Sequence, residues 1–396
     1  MPILKVLYRN KLPVFRNMAD RTARCCTRSA RRPAGPERLS TCGSATPSAA
    51  RKLGEAEAAF ATPPADDARA MLERLLPTLH DGCEVHRVVL VSRAWDLLDL
   101  LGPAQAHTLL RQSVRYCVRN EEYTRQFATG RPVAQTARTA PAGERRAGGT
   151  RLTTAGSSRT SQRLFTASPE DAAGIAAEAL GEGFTPDAVA EAISLAANQL
   201  VLRDEGRPKG QTAPNKPVGS VHGDSIGVHA CDSANAWRNI ARVSSPRSAA
   251  ASLLLGAYQV ALDRMQRGGD FQKWEPYPRA DVRERVTARD PAVLLKELDG
   301  AIREKNQPLA SALAARYADL GNPADALFAL LLRYAVSEDG ALHAEKFYRT
   351  ASEEYALTRK AFRNRQLVAL ARVTASAFGQ PAPGYAQACA LLKVTQ

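Results

Sequence analysis

The stretch HRVVLVSRAWDLLDLLGPAQAHTLLRQSVRYCVRNEEY, residues 86–123, decides the fold class. His86 to Leu101 is a mostly apolar run of helical length, and Gly102-Pro103 stops it. Pro103 suits the first turn of a following helix, because the N–H it lacks is one that a helix start leaves unpaired anyway. The two segments read as an αα-hairpin with a very short turn. The same pattern recurs outward. ARAMLERLLPTLH (68–80) has helical periodicity upstream, and His80, after Pro77, reads as surface. Downstream, Ser168, Thr185 and Ser245 each precede a proline, an arrangement that caps a helix and fixes its first turn. Helices then run through AAGIAAEAL, DAVAEAISLAANQLVLRD, a segment from about Gly227 or Val228 to Val243, and SAAASLLLGAYQVALDRMQ. DPAVLLKELDGAIREKN, QPLASALAARYADLG, ADALFALLLRYAVSEDG, ALHAEKFYRTASEEYAL and RKAFRNRQLVALARVTASAFG continue the series, and Pro383 starts a last short helix. Alternating β-branched strand patterns are essentially missing. The expectation is all-α: an array or bundle of antiparallel helical hairpins.

The 396 residues carry a net charge of +14, but the charge is unevenly placed. Residues 1–50 hold 10 Lys and Arg against 2 acids, and residues 124–166 hold 8 Arg against Glu144 alone. These two segments account for all of the excess, so the rest of the chain is close to neutral. A nucleic-acid surface needs a basic stripe on a folded face, and composition places none there. The expected organisation is a disordered basic tail (1–60), an N-terminal helical hairpin part of the core (61–123), a disordered basic insertion (124–166) and a main helical domain (167–396). The tail has the composition of a transit peptide, of translated upstream sequence or of a plain disordered tail. Pro33, Pro36 and Pro47 favour the last two. No run is long and apolar enough for a membrane span. Seven scattered cysteines without CxxC spacing argue for reduced thiols in a cytoplasm and against a zinc finger.

Chemistry concentrates in VGSVHGDSIGVHACDSANAWRN, residues 218–239, which holds two of the six histidines. Small residues beside ionisable ones imply close backbone approach around a polar site. On a helix His229 and Asp232, spaced i,i+3, share a face, and Asn235 extends it. A His and an Asp so placed can ligate a metal, or act as a base with its orienting acid. The competing reading is a helix start in which Asp224 or Ser225 caps and His229 packs. The candidate site has His229, Asp232 and His343 as catalytic residues and Asn235 and Arg238 as cofactor contacts. His222, Asp224, His229, His86 and His107 are its metal ligands. His107 also fits a core position, since it shares a face with Leu110 and Val114. No GxSxG, GxGxxG or Walker A motif occurs. No ExxH accompanies the histidines, which argues against a ferritin-like di-iron site.

The His-led helix HRVVLVSRAWDLLDLLG, the element GVHACDSANAWR and the all-helical chain resemble the questin oxidase-like family, in fragments over residues 86–120 and 185–260. His229-Ala230 matches that family's His-Ala element; the insertion at 124–166 and the HGDS run depart from it. The resemblance implies oxidative, Baeyer–Villiger-type cleavage of polyketide quinones with NADPH. The expected function is therefore an oxidoreductase, or a helical protein that binds a metal or small molecule. Its cofactor would be a divalent metal or NADPH, its partner a small-molecule substrate, and nucleic acid would not be one. LAARYADLGNPADALFALLLRYA, which looks like a tetratricopeptide hairpin, supports the alternative of a non-catalytic binding scaffold. The two readings separate on one point: in the site reading His343 and one or both of His86 and His107 complete a pocket built from residues 222–238, so the histidines should converge, whereas scattered histidines favour the scaffold.

Overall fold

Capping side chains start the helices where the sequence places them. Asp67, Ser168, Thr185 and Ser225 each accept a hydrogen bond from the backbone N–H three residues on, which satisfies a donor that a helix start leaves open. The structure is a computed structural model that describes residues 53–61, 67–121, 150–213, 216–221, 225–266, 270–338 and 343–394. Among them every regular element is helical, and the only β pairings are three isolated bridges.

The N-terminal group comprises α1 (Leu53–Phe60), α2 (Ala68–His80), α3 (Val85–Asp96), the single turn α4 (Leu98–Leu101) and α5 (Ala106–Arg119). The central group is α6 (Thr154–Thr166), α7 (Pro169–Gly181), α8 (Pro186–Arg203), α9 (Ile226–Val243) and α10 (Pro246–Gln266). The C-terminal group is α11 (Ala280–Arg285), α12 (Pro291–Arg303), α13 (Gln307–Asp319), α14 (Ala324–Ser337), α15 (His343–Leu357), α16 (Lys360–Ala377) and α17 (Tyr385–Leu392).

Several boundaries depart from expectation. The helix predicted over 86–101 is interrupted at Leu97, and Gly102, at φ 83°, ends the short turn that follows. Helix α1 lies inside the predicted 1–60 tail, and Ala56 and Phe60 are buried. Helix α6 lies inside the predicted 124–166 insertion. Its Gly/Ser/Thr composition reads as low complexity, yet small residues are what a close helix contact requires. Thr153 caps it, Gly156, Ser157 and Ser161 are buried, and Ser157 Oγ donates to Glu191 Oε2 of α8 at 3.0 Å. Residues 1–52 of the tail and 124–149 of the insertion lie outside the described residues. His80 is buried, its ring 6.1 Å from that of Trp237, and is not a surface residue.

Helix α9 is the hub. It packs on α8, α10, α3 and α15, and is buried on nearly every side. A helix buried all round cannot carry long polar side chains outward, which explains its run of Gly, Ala, Ser and Cys. Gly227 is the tightest point: a Cβ there would lie 2.5 Å from the backbone N and Cα of Val201. Farther along, Trp237 Nε1 donates to Gln259 Oε1 at 2.8 Å, and Gln259 Nε2 donates to Ser233 Oγ at 2.9 Å. The tetratricopeptide-like stretch does not form the hairpin it resembles. Helix α13 packs chiefly on α16 and α12, and α14 chiefly on α15.

Candidate metal centre

The N-terminal turns of three helices meet at one place. His86 lies at the start of α3, His229 in the first turn of α9, and His343 is the first residue of α15. The ring centroids of His229 and His343 are 5.0 Å apart, and that of His86 lies 5.4 Å from His229 and 6.3 Å from His343. His229 Nε2 and His343 Nε2 face each other at 2.9 Å. One nitrogen from each ring falls within 4.8 Å of the other two. The histidines are half-buried, and the His86 side chain is 43 % exposed, so the cluster opens to solvent.

This donor set fits a divalent transition metal. Nitrogens at about 2.0–2.1 Å from one ion lie at most roughly 4.2 Å apart, close to the 4.8 Å within which the three ring nitrogens are gathered. Two imidazole lone pairs repel, and either a shared proton or a shared cation holds them at 2.9 Å. Three neutral nitrogens suit zinc, copper, iron or nickel and not magnesium or calcium, which take oxygen ligands. An ion so bound keeps its full charge and an open coordination position.

Behind His86 stands Glu84. Its Oε1 lies 2.6 Å from His86 Nδ1 and accepts the His86 backbone N–H at 3.0 Å. Its Oε2 accepts the Arg87 N–H at 3.0 Å and the Tyr116 hydroxyl at 3.2 Å. Burial alone would raise this carboxyl group's pKa. The hydrogen bond and charge of His86, with the two backbone N–H groups, outweigh that and hold it below the ordinary value.

Below the histidines, α9 and α15 are joined by a polar ladder. Asp232, fully enclosed, accepts Thr350 Oγ1 at 2.7 Å and pairs with Lys346 Nζ at 2.9 Å. Asn235 Nδ2 and Arg238 Nη1 both donate to Glu354, at 3.0 and 2.8 Å. Arg93 of α3 donates to Asn235 Oδ1 at 3.1 Å and to Glu353.

Of the residues singled out in the sequence, the structure brings together His86, His229 and His343. His107 is a correction: its ring stacks on Phe60 at 5.7 Å, and it is not one of the gathered ligands. It fits the apolar face it shares with Leu110, and burial followed by the charge of Arg111 lowers its pKa. Asp232, expected beside His229, has its carboxylate held by Thr350 and Lys346 of α15. Asn235 and Arg238, expected to touch a cofactor, are committed to Glu354. His222 and Asp224 lie outside the described residues. Ser225 caps α9, as the competing reading of this segment has it, and His229 nevertheless joins the cluster. Glu84 and Tyr116 were not legible as site residues. The available signal was weak: an acid two residues before His86 at a helix start, where Ser, Thr, Asp and Asn are the usual caps.

No family model, curated protein or solved structure matches the chain.

Proposed function

We propose that the chain is a divalent-metal protein whose His86–His229–His343 cluster holds the ion and uses it for oxidoreductase chemistry on a small molecule. The observation that carries this reading is the convergence of three histidines from helices separated by more than a hundred residues of sequence. A bound ion supplies Lewis acidity or redox capacity at its open position. The protein's own residues supply the frame: three helix starts aim the rings, and the ladder of α9 and α15 fixes their spacing. The oxidative part of the reading rests on the resemblance to the questin oxidase-like family. So does NADPH, for which Asn235 and Arg238 no longer offer contacts. Cys83, Cys117, Cys231 and Cys389 are free thiols in the interior, which supports a reducing, cytoplasmic setting. Burial and the charge of Asp263 push the Cys83 thiol up to about 12, and Cys231 is raised well above its ordinary value, so both act as packing groups. Among the described residues no helix is long and apolar enough to cross a membrane.

Elemental analysis of purified protein, repeated after loading with zinc or cobalt, tests the reading. One equivalent is expected in the wild type and none in His229→Ala or His343→Ala, with helicity unchanged. Full metal content in both variants, or none in the wild type, contradicts it. The scaffold alternative predicts no metal in any of them.

A further inference from the structure

We propose that Glu84 is a positioning residue that holds His86 in one tautomer and one orientation, with Nε2 presented as a ligand. The proposal rests on the metal reading above and adds a residue to it. The His86 side chain is 43 % exposed, and an exposed imidazole exchanges rotamers and tautomers unless something fixes it. Glu84 does so with a short contact to Nδ1, 2.6 Å. The Nδ1 proton donated to a carboxylate leaves the lone pair on Nε2, the only ring nitrogen then able to bind a metal. The carboxylate is itself immobilised. Two backbone N–H groups of α3 and the hydroxyl of Tyr116 donate to it, and its side chain is 6 % exposed. The chain Tyr116–Glu84–His86 thus ties α5 to the cluster, and α5 contributes no ligand of its own. A helix cap alone needs only a short acceptor reaching the N–H groups of the first turn. Glu84 reaches those and the imidazole with one carboxylate.

Capping and positioning separate in the variants Glu84→Ser and Glu84→Gln. Serine keeps a cap but is too short to reach Nδ1; glutamine keeps an acceptor of the same length and loses the charge. Two readouts are needed. The first is the tautomer of His86 in metal-free protein, from long-range proton–nitrogen NMR of imidazole-labelled chains. The second is cobalt affinity by titration. The wild type is expected to show His86 protonated on Nδ1, with a tautomer mixture in Glu84→Ser. Affinity is expected to fall about 10–100-fold in Glu84→Ser, in line with the loss of such outer partners elsewhere, and less in Glu84→Gln. His86 protonated on Nε2 in the wild type overturns the proposal. So does unchanged affinity in Glu84→Ser, which would leave Glu84 a cap only. Nδ1 protonation in a wild type that binds no cobalt overturns the metal reading instead and leaves the hold of Glu84 on His86 standing.

Discussion

Helices α9 and α15 meet through two regions of opposite character. Along most of their length the contact is a ladder in which each charge has its counter-charge: Asp232 with Lys346, Arg238 with Glu354, Glu353 with Arg93. At the N-terminal end the ladder gives way to three histidines whose nitrogens face one another, with no carboxylate among the gathered ligands. The ladder gives each of these charges an opposite charge, and it accounts for Asp232 and Arg238 of α9 without any ligand. At the histidine end His229 Nε2 and His343 Nε2 lie 2.9 Å apart, a spacing at which a proton or a cation can stand between the rings. Ionisable residues in a buried segment therefore do not by themselves mark a site; what marks it is the convergence of imidazole nitrogens from three separate helix starts.

The ladder breaks most severely at Glu354. Glu354→Ala leaves the enclosed Arg238 with only the exposed Asp187, 3.7 Å from its Nε, as counter-charge, and the expected loss is about 3 kcal/mol, measured by denaturant unfolding. A loss under about 1 kcal/mol would show that solvent reaches Arg238 and that the two regions differ less than described. Gly227→Ala comes next. Its methyl group meets the Val201 backbone, and overpacking should cost about 1–3 kcal/mol, although alanine favours the helix by roughly 1 kcal/mol. A stabilised variant would mean that α8 and α9 are not in close contact there.

Acid sharpens the comparison with a smaller effect. Burial raises the Glu353 carboxyl, but the charges of Arg93 and Arg349 and a hydrogen bond from Asn239 outweigh it and hold it below 4.5. The unfolded chain then binds the proton more readily. The stability from Glu353 is present above about pH 4.5 and is lost as pH falls through the folded-state value. Glu353→Gln should remove this part of the acid sensitivity, with a change of under about 1 kcal/mol at neutral pH; an unaltered pH profile would discount the pair. The smallest effect belongs to His107→Ala. Metal binding should be unchanged, because that ring stacks on Phe60; reduced binding would return His107 to the site.

Much of this was legible in sequence because it is local. Caps such as Ser168, Thr185 and Ser225, and the Gly102-Pro103 stop, act within one turn, so the residues that set each helix start are adjacent in the chain. The small residues of 218–239 announced close approach, and Gly227 against Val201 is that approach. Helix α6 was hidden because Gly, Ser and Thr serve both loops and tight helix contacts. What Asp232, Asn235 and Arg238 do depends on Lys346, Thr350 and Glu354, more than a hundred residues away, and on the register of two helices that no local pattern specifies. His86, at a helix start, and His107, on a face with Leu110 and Val114, both read as candidate ligands on neighbouring helices. The direction each ring takes, toward Phe60 or toward His229, is a property of packing.

X-ray absorption spectroscopy on the cobalt- or zinc-loaded protein tests the central claim most directly, because it counts imidazole ligands on the ion. Three imidazole shells at about 2.0–2.1 Å are predicted in the wild type, and two in His86→Ala if that variant still binds. An ion surrounded by oxygen ligands without imidazole, or an imidazole count that His86→Ala leaves at three, would contradict the account.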